Sequence, residues 1–204
     1  MRVLFMGTPD FAVPSLHAIH ESRHQLVAVV TIPDKASGRG LKLQPSMVKT
    51  AALTLGYPVL QPESLSSDEF LSQVRDCYPD IIVVVAFQIL PKSVFEIPKY
   101  GAVNIHASLL PKYRGAAPIQ RAILAGENET GVSTFQITKK VDTGSILLQR
   151  KIEIGKNETC GELWERLSKL GAEIIVPTLD GILENKIIPV KQDNALATSA
   201  KKID

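Results

Sequence analysis

The chain has 204 residues, of which 45% are hydrophobic and 22% charged, a balance typical of a globular protein with a sizeable core. Twenty-three basic residues against twenty-one acidic residues leave a formal charge of +2, too small for the overall field to attract a nucleic acid. A polyanionic partner must therefore meet a local basic patch.

The N-terminal apolar run, Val3–Met6, is too short for a signal peptide or a membrane span, which predicts a cytoplasmic protein with no membrane partner. Cys77 and Cys160 lack metal, redox and disulfide-scaffold spacing, so both are expected to be buried free thiols.

The first half of the chain alternates between strand and helix patterns. Apolar, β-branched runs at Val3–Met6 and Leu26–Ile32 flank a helical pattern at Phe11–Ser22. A second helical stripe, Ser66–Tyr78, precedes the unbroken apolar run Asp80–Ala86, which is typical of a strand covered on both faces of a parallel sheet. These units predict an α/β fold with a doubly wound, mostly parallel, Rossmann-like sheet. The G-x-G-x-x-G fingerprint is missing after the first strand, so NAD is not predicted.

The second half changes character after residue 130. Gly131–Thr138 and Ser145–Ile154 read as strands joined by a polar turn, which predicts a C-terminal β-hairpin that extends the sheet. Thr159–Leu183 reads as one long helix, with Thr159 and Glu162 placed as a capping box. Pro177 would either kink this helix or lie in its last turns.

Asn104 and His106 are the first candidates for chemistry. They end a predicted strand, Ala102–Ala107, and the two-residue period of a strand sends both side chains to one face, with Ile105 in the core behind them. Ligands of open α/β sheets collect at the carboxyl ends of strands. The spacing alone leaves a structural, hydrogen-bonded histidine equally open.

The loop that follows, Ser108–Gly115, extends this pair into a longer motif. The run from Asn104 to Pro111, Asn-Ile-His-Ala-Ser-Leu-Leu-Pro, resembles the active-site string of the folate-dependent formyltransferase family. The family also has an Asp-Thr-Gly turn downstream, and Asp142-Thr143-Gly144 matches it, although Asp142 alone would be an ordinary turn former. The resemblance implies a formyltransferase fold, Asn104, His106 and Asp142 as catalytic residues, 10-formyltetrahydrofolate as formyl donor and no metal.

The resemblance also implies a mechanism of acyl transfer to nitrogen. Attack on the formyl carbon creates an oxyanion, for which the Asn104 amide and a protonated His106 would be the hydrogen-bond donors. A free α-amino group has a pKa of about 8 and must lose a proton near neutral pH. Asp142 would stabilise the imidazolium and orient a water that relays this proton.

A flat pterin ring needs an apolar slot beside the catalytic residues. The residues expected to contact the folate lie in two segments: Phe87, Gln88, Ile89 and Leu90, and then Ser108, Leu109, Leu110 and Pro111. Each of these apolar residues taken singly could equally belong to the core. The first segment departs from the Ala-Tyr-Gly that is usual in similar members of the family, which leaves the details of this slot open.

Three further segments are similar to family members that act on methionyl initiator tRNA: Gly7–Phe11, Ser37–Gly40 and Arg114–Gln120. The basic loop that contains the second segment would reach the acceptor end of this tRNA through Lys35, Arg39 and Lys42, mainly by contacts to phosphate and ribose. Other acceptors stay open, namely an amino sugar nucleotide, glycinamide ribonucleotide or water, and so does a non-enzymatic binding module.

The polar composition after Ile188 and the resemblance together predict a domain division. We expect a catalytic domain over residues 1–188, followed at 189–204 by an extended tail or the start of a linker. Similar family members continue into a second, β-barrel-like domain that helps to hold tRNA. A monomer is expected.

Overall fold

A computed structural model of the protein describes residues 1–37 and 42–203, apart from the side chains of Ala36, Ser37 and Lys42. By its internal contacts the chain divides into two units, Met1–Ala102 and Val103–Asp204. None of the helices in the described ranges combines the length and the hydropathy of a membrane span. Cys77 and Cys160 are free thiols, as predicted, but both are half-buried rather than fully buried.

A parallel sheet lies at the centre of the first unit. The strands of this unit are β1 (Arg2–Gly7), β2 (Gln25–Val30), β3 (Lys35–Ser37), β4 (Lys42–Gln44), β5 (Val59–Leu60) and β6 (Ile81–Val85). The parallel sheet has the order β5-β2-β1-β6, and β3 and β4 pair separately as an antiparallel ribbon. Every residue of β6 is buried, which confirms the interpretation of its apolar run as a strand covered on both faces of a parallel sheet.

The helices of the first unit lie between its parallel strands, apart from the last helix, which follows β6. They are α1 (Val13–His20), α2 (Met47–Thr54), α3 (Asp68–Asp76) and α4 (Lys92–Phe95). Helix α1 packs against α2, and α3 packs against α4. Serine side chains cap two of the N-termini: Ser46 accepts a hydrogen bond from the Lys49 amide at α2, and Ser67 accepts one from the Phe70 amide at α3. The helical patterns of the sequence therefore correspond to α1 and α3, with shorter bounds.

The second unit combines an antiparallel sheet with one long helix. Its elements are β7 (Ala102–His106, whose first residue belongs to the first unit), α5 (Pro118–Leu124), β8 (Glu129–Gln136), β9 (Ile146–Glu153) and α6 (Cys160–Leu183). Strand β8 pairs antiparallel with both β7 and β9, and α6 packs on β8 and β9. The predicted capping box of Thr159 and Glu162 starts α6, and Pro177 lies inside this helix.

The last residues of the chain pack against the rest of the second unit. Val190 forms an antiparallel bridge with Ile146, and Ser199 forms a parallel bridge with Arg114. The side chain of Gln192 is buried within this segment. The predicted division at residue 188 stays a prediction, but 189–203 is not a free tail in the structure.

Candidate active site

Asn104 and His106 lie on one face of β7, as their spacing predicted. Their partners across the antiparallel ladder are Phe135 and Ser133 of β8, so the four side chains share this face. Ile105 points to the other face and is 3% exposed. His106 is the last residue of β7, and the carboxyl end of this strand therefore carries a half-buried amide and a buried imidazole.

The ring of His106 is fixed from three sides. Its Nε2 lies 2.8 Å from the backbone oxygen of Tyr113, and because a carbonyl only accepts, Nε2–H is the donor. Phe135 packs edge-on against the imidazole, with 6.4 Å between ring centroids. Nδ1 faces the Oδ2 atom of Asp142 at 3.8 Å. Each ring nitrogen thus faces an oxygen acceptor, so the site can accommodate a doubly protonated ring.

Asp142 lies in the turn between β8 and β9, with a left-handed backbone φ of 52°. Its Oδ2 atom accepts a 2.8 Å hydrogen bond from the Gly115 amide, and its side chain is 11% exposed. Gly144 closes the turn where a Cβ atom would stand 1.6 Å from the Gln136 carbonyl oxygen, so only glycine fits there. The structure therefore brings His106 and Asp142 together, although they are far apart in sequence.

A three-residue segment, Tyr113 to Gly115, contacts both of these side chains through its backbone. The carbonyl of Tyr113 accepts from His106, and the amide of Gly115 donates to Asp142. Gly115 has a φ of 128°, and a Cβ atom there would lie 2.6 Å from the Ala200 carbonyl oxygen. In the sequence, Arg114 and Gly115 stood out only through the family resemblance, and nothing local indicated this role.

The loop Ser108–Pro111 is held internally. Ser108 is fully buried, and its hydroxyl donates to the Lys112 carbonyl. The hydroxyl of Ser133 accepts from the Leu110 amide and donates to the Ser108 carbonyl, while Gln149 donates to the Leu110 carbonyl. The backbone N–H of Leu110 is therefore already used within the protein. The Leu110–Pro111 peptide bond is cis.

The eight predicted folate-contacting residues differ in exposure. Ser108, Leu90 and Leu110 are 0%, 6% and 3% exposed, so their side chains present almost no surface. The other five keep accessible surface: Phe87, Gln88, Ile89, Leu109 and Pro111. Ile89 is 74% exposed, which is unusual for a large apolar side chain. Phe87 to Leu90 follow β6 in the first unit, after Ala86 with a left-handed φ of 46°, and Ser108 to Pro111 belong to the second.

The predicted tRNA-contacting residues are only partly described. Lys35 is exposed on β3, Arg39 lies outside the described residues, and only the backbone of Lys42 is described. Lys49 of the same basic segment is paired: its Nζ lies 2.7 Å from the Oδ2 atom of Asp34.

Asp34 has a second partner, because Gln61 donates to its other carboxylate oxygen over 2.8 Å. Hydrogen bonds from Lys49 and Gln61 lower the pKa of Asp34 below its ordinary value. The charges of Asp34 and Lys49 therefore neutralise each other at the base of the loop.

Among residues 1–37 and 42–203, no group of three or more His, Cys, Asp or Glu side chains could hold a metal ion.

Comparison with known proteins decides the family. The sequence model of a family described as formyl transferase matches residues 1–179. The chain belongs to the formyl transferase family. Curated formyl transferases similar to it include the methionyl-tRNA formyltransferases of Porphyromonas gingivalis, 51% identical over 95% of this chain, and of Citrifermentans bemidjiense, 49% identical over 98%. The chain spans 60% and 63% of the length of these two relatives.

Solved formyl transferases share the fold. The glycinamide ribonucleotide transformylase 1 of Symbiobacterium toebii matches with a TM-score of 0.78 and 16% identity, over 95% of this chain and 94% of that one. The sugar 3N-formyl transferase WlaRD, solved in the presence of dTDP and 5-N-formyl-THF, matches with a TM-score of 0.74 and 25% identity, over 99% of this chain and 70% of that one. These matches confirm the predicted α/β, Rossmann-like class of formyl transferases.

Proposed function

We propose that this chain catalyses transfer of a formyl group from 10-formyltetrahydrofolate to the α-amino group of methionyl initiator tRNA, a step that supports translation initiation. The observation that carries the choice of acceptor is the identity of 49% to 51%, over at least 95% of the chain, to relatives named methionyl-tRNA formyltransferase. The chain spans about three-fifths of the length of these relatives. We expect the remaining part of the relatives to contribute to tRNA binding.

The proposed reaction forms one C–N bond and breaks another. The amine nitrogen attacks the formyl carbon, a tetrahedral intermediate carries the oxyanion, and tetrahydrofolate leaves as its nitrogen takes up a proton. Asn104 contributes its amide N–H to the oxyanion, a role whose loss costs about 10²- to 10³-fold in rate. His106 is the second donor. Its N–H now points to the Tyr113 carbonyl, so this bond is shared or given up when the formyl oxygen arrives.

A water oriented by the Asp142 carboxylate relays the proton of the attacking amine to the departing folate nitrogen. The carboxylate at 3.8 Å stabilises positive charge on the imidazole, and the Gly115 amide keeps the carboxylate in place. No metal is needed in this scheme, because the amide and the imidazolium supply the charge stabilisation.

The predicted contacts that keep accessible surface fit a folate donor. In the first unit, Phe87 and Ile89 keep accessible apolar surface for a pterin ring, and Gln88 offers an exposed amide for its polar edge. In the second unit, Leu109 also keeps apolar surface. Leu90 is buried in the same segment as Phe87 and Ile89, and Leu110 is buried next to Leu109. Lys35, Arg39 and Lys42 are proposed to contact the acceptor end of the tRNA. We also propose that the enzyme is a monomer and that the reaction takes place in the cytoplasm.

The test is to incubate the protein with 10-formyltetrahydrofolate and methionyl initiator tRNA and to measure formyl groups on the methionyl ester. His106→Ala is the test variant and His20→Ala, an exposed histidine on α1, is the matched control. Formylation that is lost in the first variant and kept in the second supports the proposal. Transfer only to an amino sugar nucleotide or a small amine would mean that the acceptor is not methionyl initiator tRNA. Hydrolysis alone would indicate a formyl-folate hydrolase. No reaction with the folate at all would contradict the proposal that the chain is an enzyme.

A further inference from the structure

We propose that Gln192 is a positioning residue of the active site, which holds Asp142 in place for the reaction proposed above. It does not face the reacting atoms. It acts on the backbone of the turn that carries Asp142, and it is itself held by Arg114. This role of Asp142 rests on the proposed function, whereas the positioning itself can be measured without activity.

The side chain of Gln192 is buried and fully hydrogen-bonded. The residue is 5% exposed. Its amide nitrogen donates to two carbonyl oxygens of the turn, those of Asp142 at 2.9 Å and Gly144 at 2.7 Å. An amide has two N–H groups, so both are used. Its oxygen accepts from Nε of Arg114 at 3.0 Å and from Nη2 at 2.7 Å.

These partners leave one orientation for the Gln192 amide. A guanidinium only donates and a carbonyl only accepts, so a flipped amide would lose all four hydrogen bonds. Arg114 is anchored in turn: its Nη1 donates to the Asn194 side chain at 3.0 Å, and its backbone amide donates to the Thr198 carbonyl at 2.9 Å. The last segment of the chain therefore supplies a rigid support for the turn.

The contacts close a ring around Asp142. Gly115 holds the carboxylate, Gln192 holds the backbone carbonyl, and Arg114, the residue before Gly115, holds Gln192. Asp142 lies outside β8 and β9 and has a left-handed φ, so the strand ladder does not fix it. Without Gln192, the backbone carbonyls of Asp142 and Gly144 lose this hydrogen-bond donor, and the turn can change its conformation.

A small displacement of Asp142 is enough to affect the reaction. A misplacement of about 1 Å at a catalytic group costs about 10²-fold in rate, because proton transfer and charge stabilisation depend on alignment. The Gly115 amide reports the same displacement, since its exchange with solvent hydrogen is slow only while Asp142 accepts from it.

The experiment compares Gln192→Ala and the isosteric Gln192→Glu with wild type. The second variant keeps the shape and the Arg114 partner but places a carboxylate oxygen against two carbonyl oxygens. Lys191→Ala, at the exposed neighbouring position, is the control. Both Gln192 variants are expected to lower kcat by about 10- to 100-fold with little change in KM. Exchange of the Gly115 amide should be about tenfold faster, while exchange of the Val132 amide in β8 should not change.

Each result decides the matter. Unchanged exchange at Gly115 in a folded Gln192 variant overturns the proposal, and so does faster exchange at Gly115 with normal kcat in an active enzyme. Equal acceleration at Gly115 and Val132 would indicate a purely structural role and also overturns it. If Gln192→Ala does not fold, the isosteric variant supplies the same measurements. A wild-type protein without formyl transfer would contradict the proposed function alone, and the Gly115 exchange would then decide whether Gln192 holds Asp142.

Discussion

The imidazole of His106 donates to the backbone carbonyl of Tyr113 over 2.8 Å, and this bond turns its other ring nitrogen toward Asp142. The partner is a main-chain atom, so the orientation of the imidazole does not depend on which side chain residue 113 carries. The tyrosine side chain has a separate task, because its hydroxyl donates to the Glu127 carboxylate at 2.7 Å.

Tyr113→Phe should therefore leave the catalytic geometry intact. We expect kcat within about twofold of wild type and a loss of about 1 kcal/mol in the free energy of unfolding, from the missing hydrogen bond to Glu127. Burial and the Glu127 carboxylate raise the pKa of Tyr113 to about 12. The protonated phenol is therefore favoured in the folded state. Its contribution to folding stability is complete below the ordinary pKa of 10.0 and is lost as pH rises toward 12. An absorbance titration should show a late-ionising phenol that Tyr113→Phe lacks; a titration curve that keeps this step in the variant would refute the assignment.

Asp142→Asn should separate the charge of this residue from its hydrogen bond. The amide oxygen of asparagine can still accept from the Gly115 amide, whereas the negative charge beside His106 is lost. We expect kcat to fall by about 10²-fold or more, with the melting temperature changed by only a few degrees. Steady-state kinetics and thermal unfolding measure the two effects. Glu173→Gln, which removes an exposed charge from α6, should change neither, and full activity of Asp142→Asn would argue against a catalytic carboxylate.

Gly115→Ala should destabilise the protein more than Gly126→Ala. Both glycines have positive φ, at 128° and 69°, but only at Gly115 would the new Cβ meet a neighbour, the Ala200 carbonyl oxygen at 2.6 Å. Gly126→Ala should cost about 1 kcal/mol, from the left-handed conformation alone. Gly115→Ala should cost at least about 2 kcal/mol and also lower kcat, because its amide holds Asp142. Chemical denaturation measures the difference, and equal costs would contradict the close approach of the Ala200 backbone.

Lys49→Met should destabilise the first unit in a pH-dependent way. The pKa of Asp34 is below its ordinary value of 3.8, chiefly because Lys49 and then Gln61 donate to its carboxylate. A lowered pKa in the folded state means that ionised Asp34 stabilises the fold above the ordinary value, and that this contribution disappears as pH falls through the lower value. The variant should therefore have a lower melting temperature than wild type at pH 7, and the two melting temperatures should converge only as pH falls below 3.8 and through the lowered pKa of Asp34. A difference that persists at low pH would point to lost packing of the lysine stem instead.

The sequence predicts the elements whose signals are local. The buried run of β6 and the capping box of α6 are written in neighbouring residues, and both are confirmed. The alternation of a strand likewise places Asn104 and His106 on one face. The closeness of Asp142 to His106 came from the family resemblance, since no local pattern fixes how a turn folds back over a strand end.

The support of Asp142 by Gln192 had no signal in a single sequence. Gln192 lies in a polar segment that is expected to be solvated, and its partner Arg114 is 78 positions away. A buried glutamine is recognised only when its partners are brought to it by the fold. The same holds for Ser133, whose hydroxyl ties down the Ser108–Pro111 loop from a neighbouring strand.

The packed C-terminal segment matters for anyone who shortens this protein. A boundary at the end of α6 would look natural because the long helix stops at Leu183. Cutting there would remove Gln192 and the Ala200 backbone. The turn that carries Asp142 would then lose its support, although Asp142 lies 50 positions before Gln192 in the chain. The smallest piece that keeps the catalytic geometry therefore extends to at least Ala200.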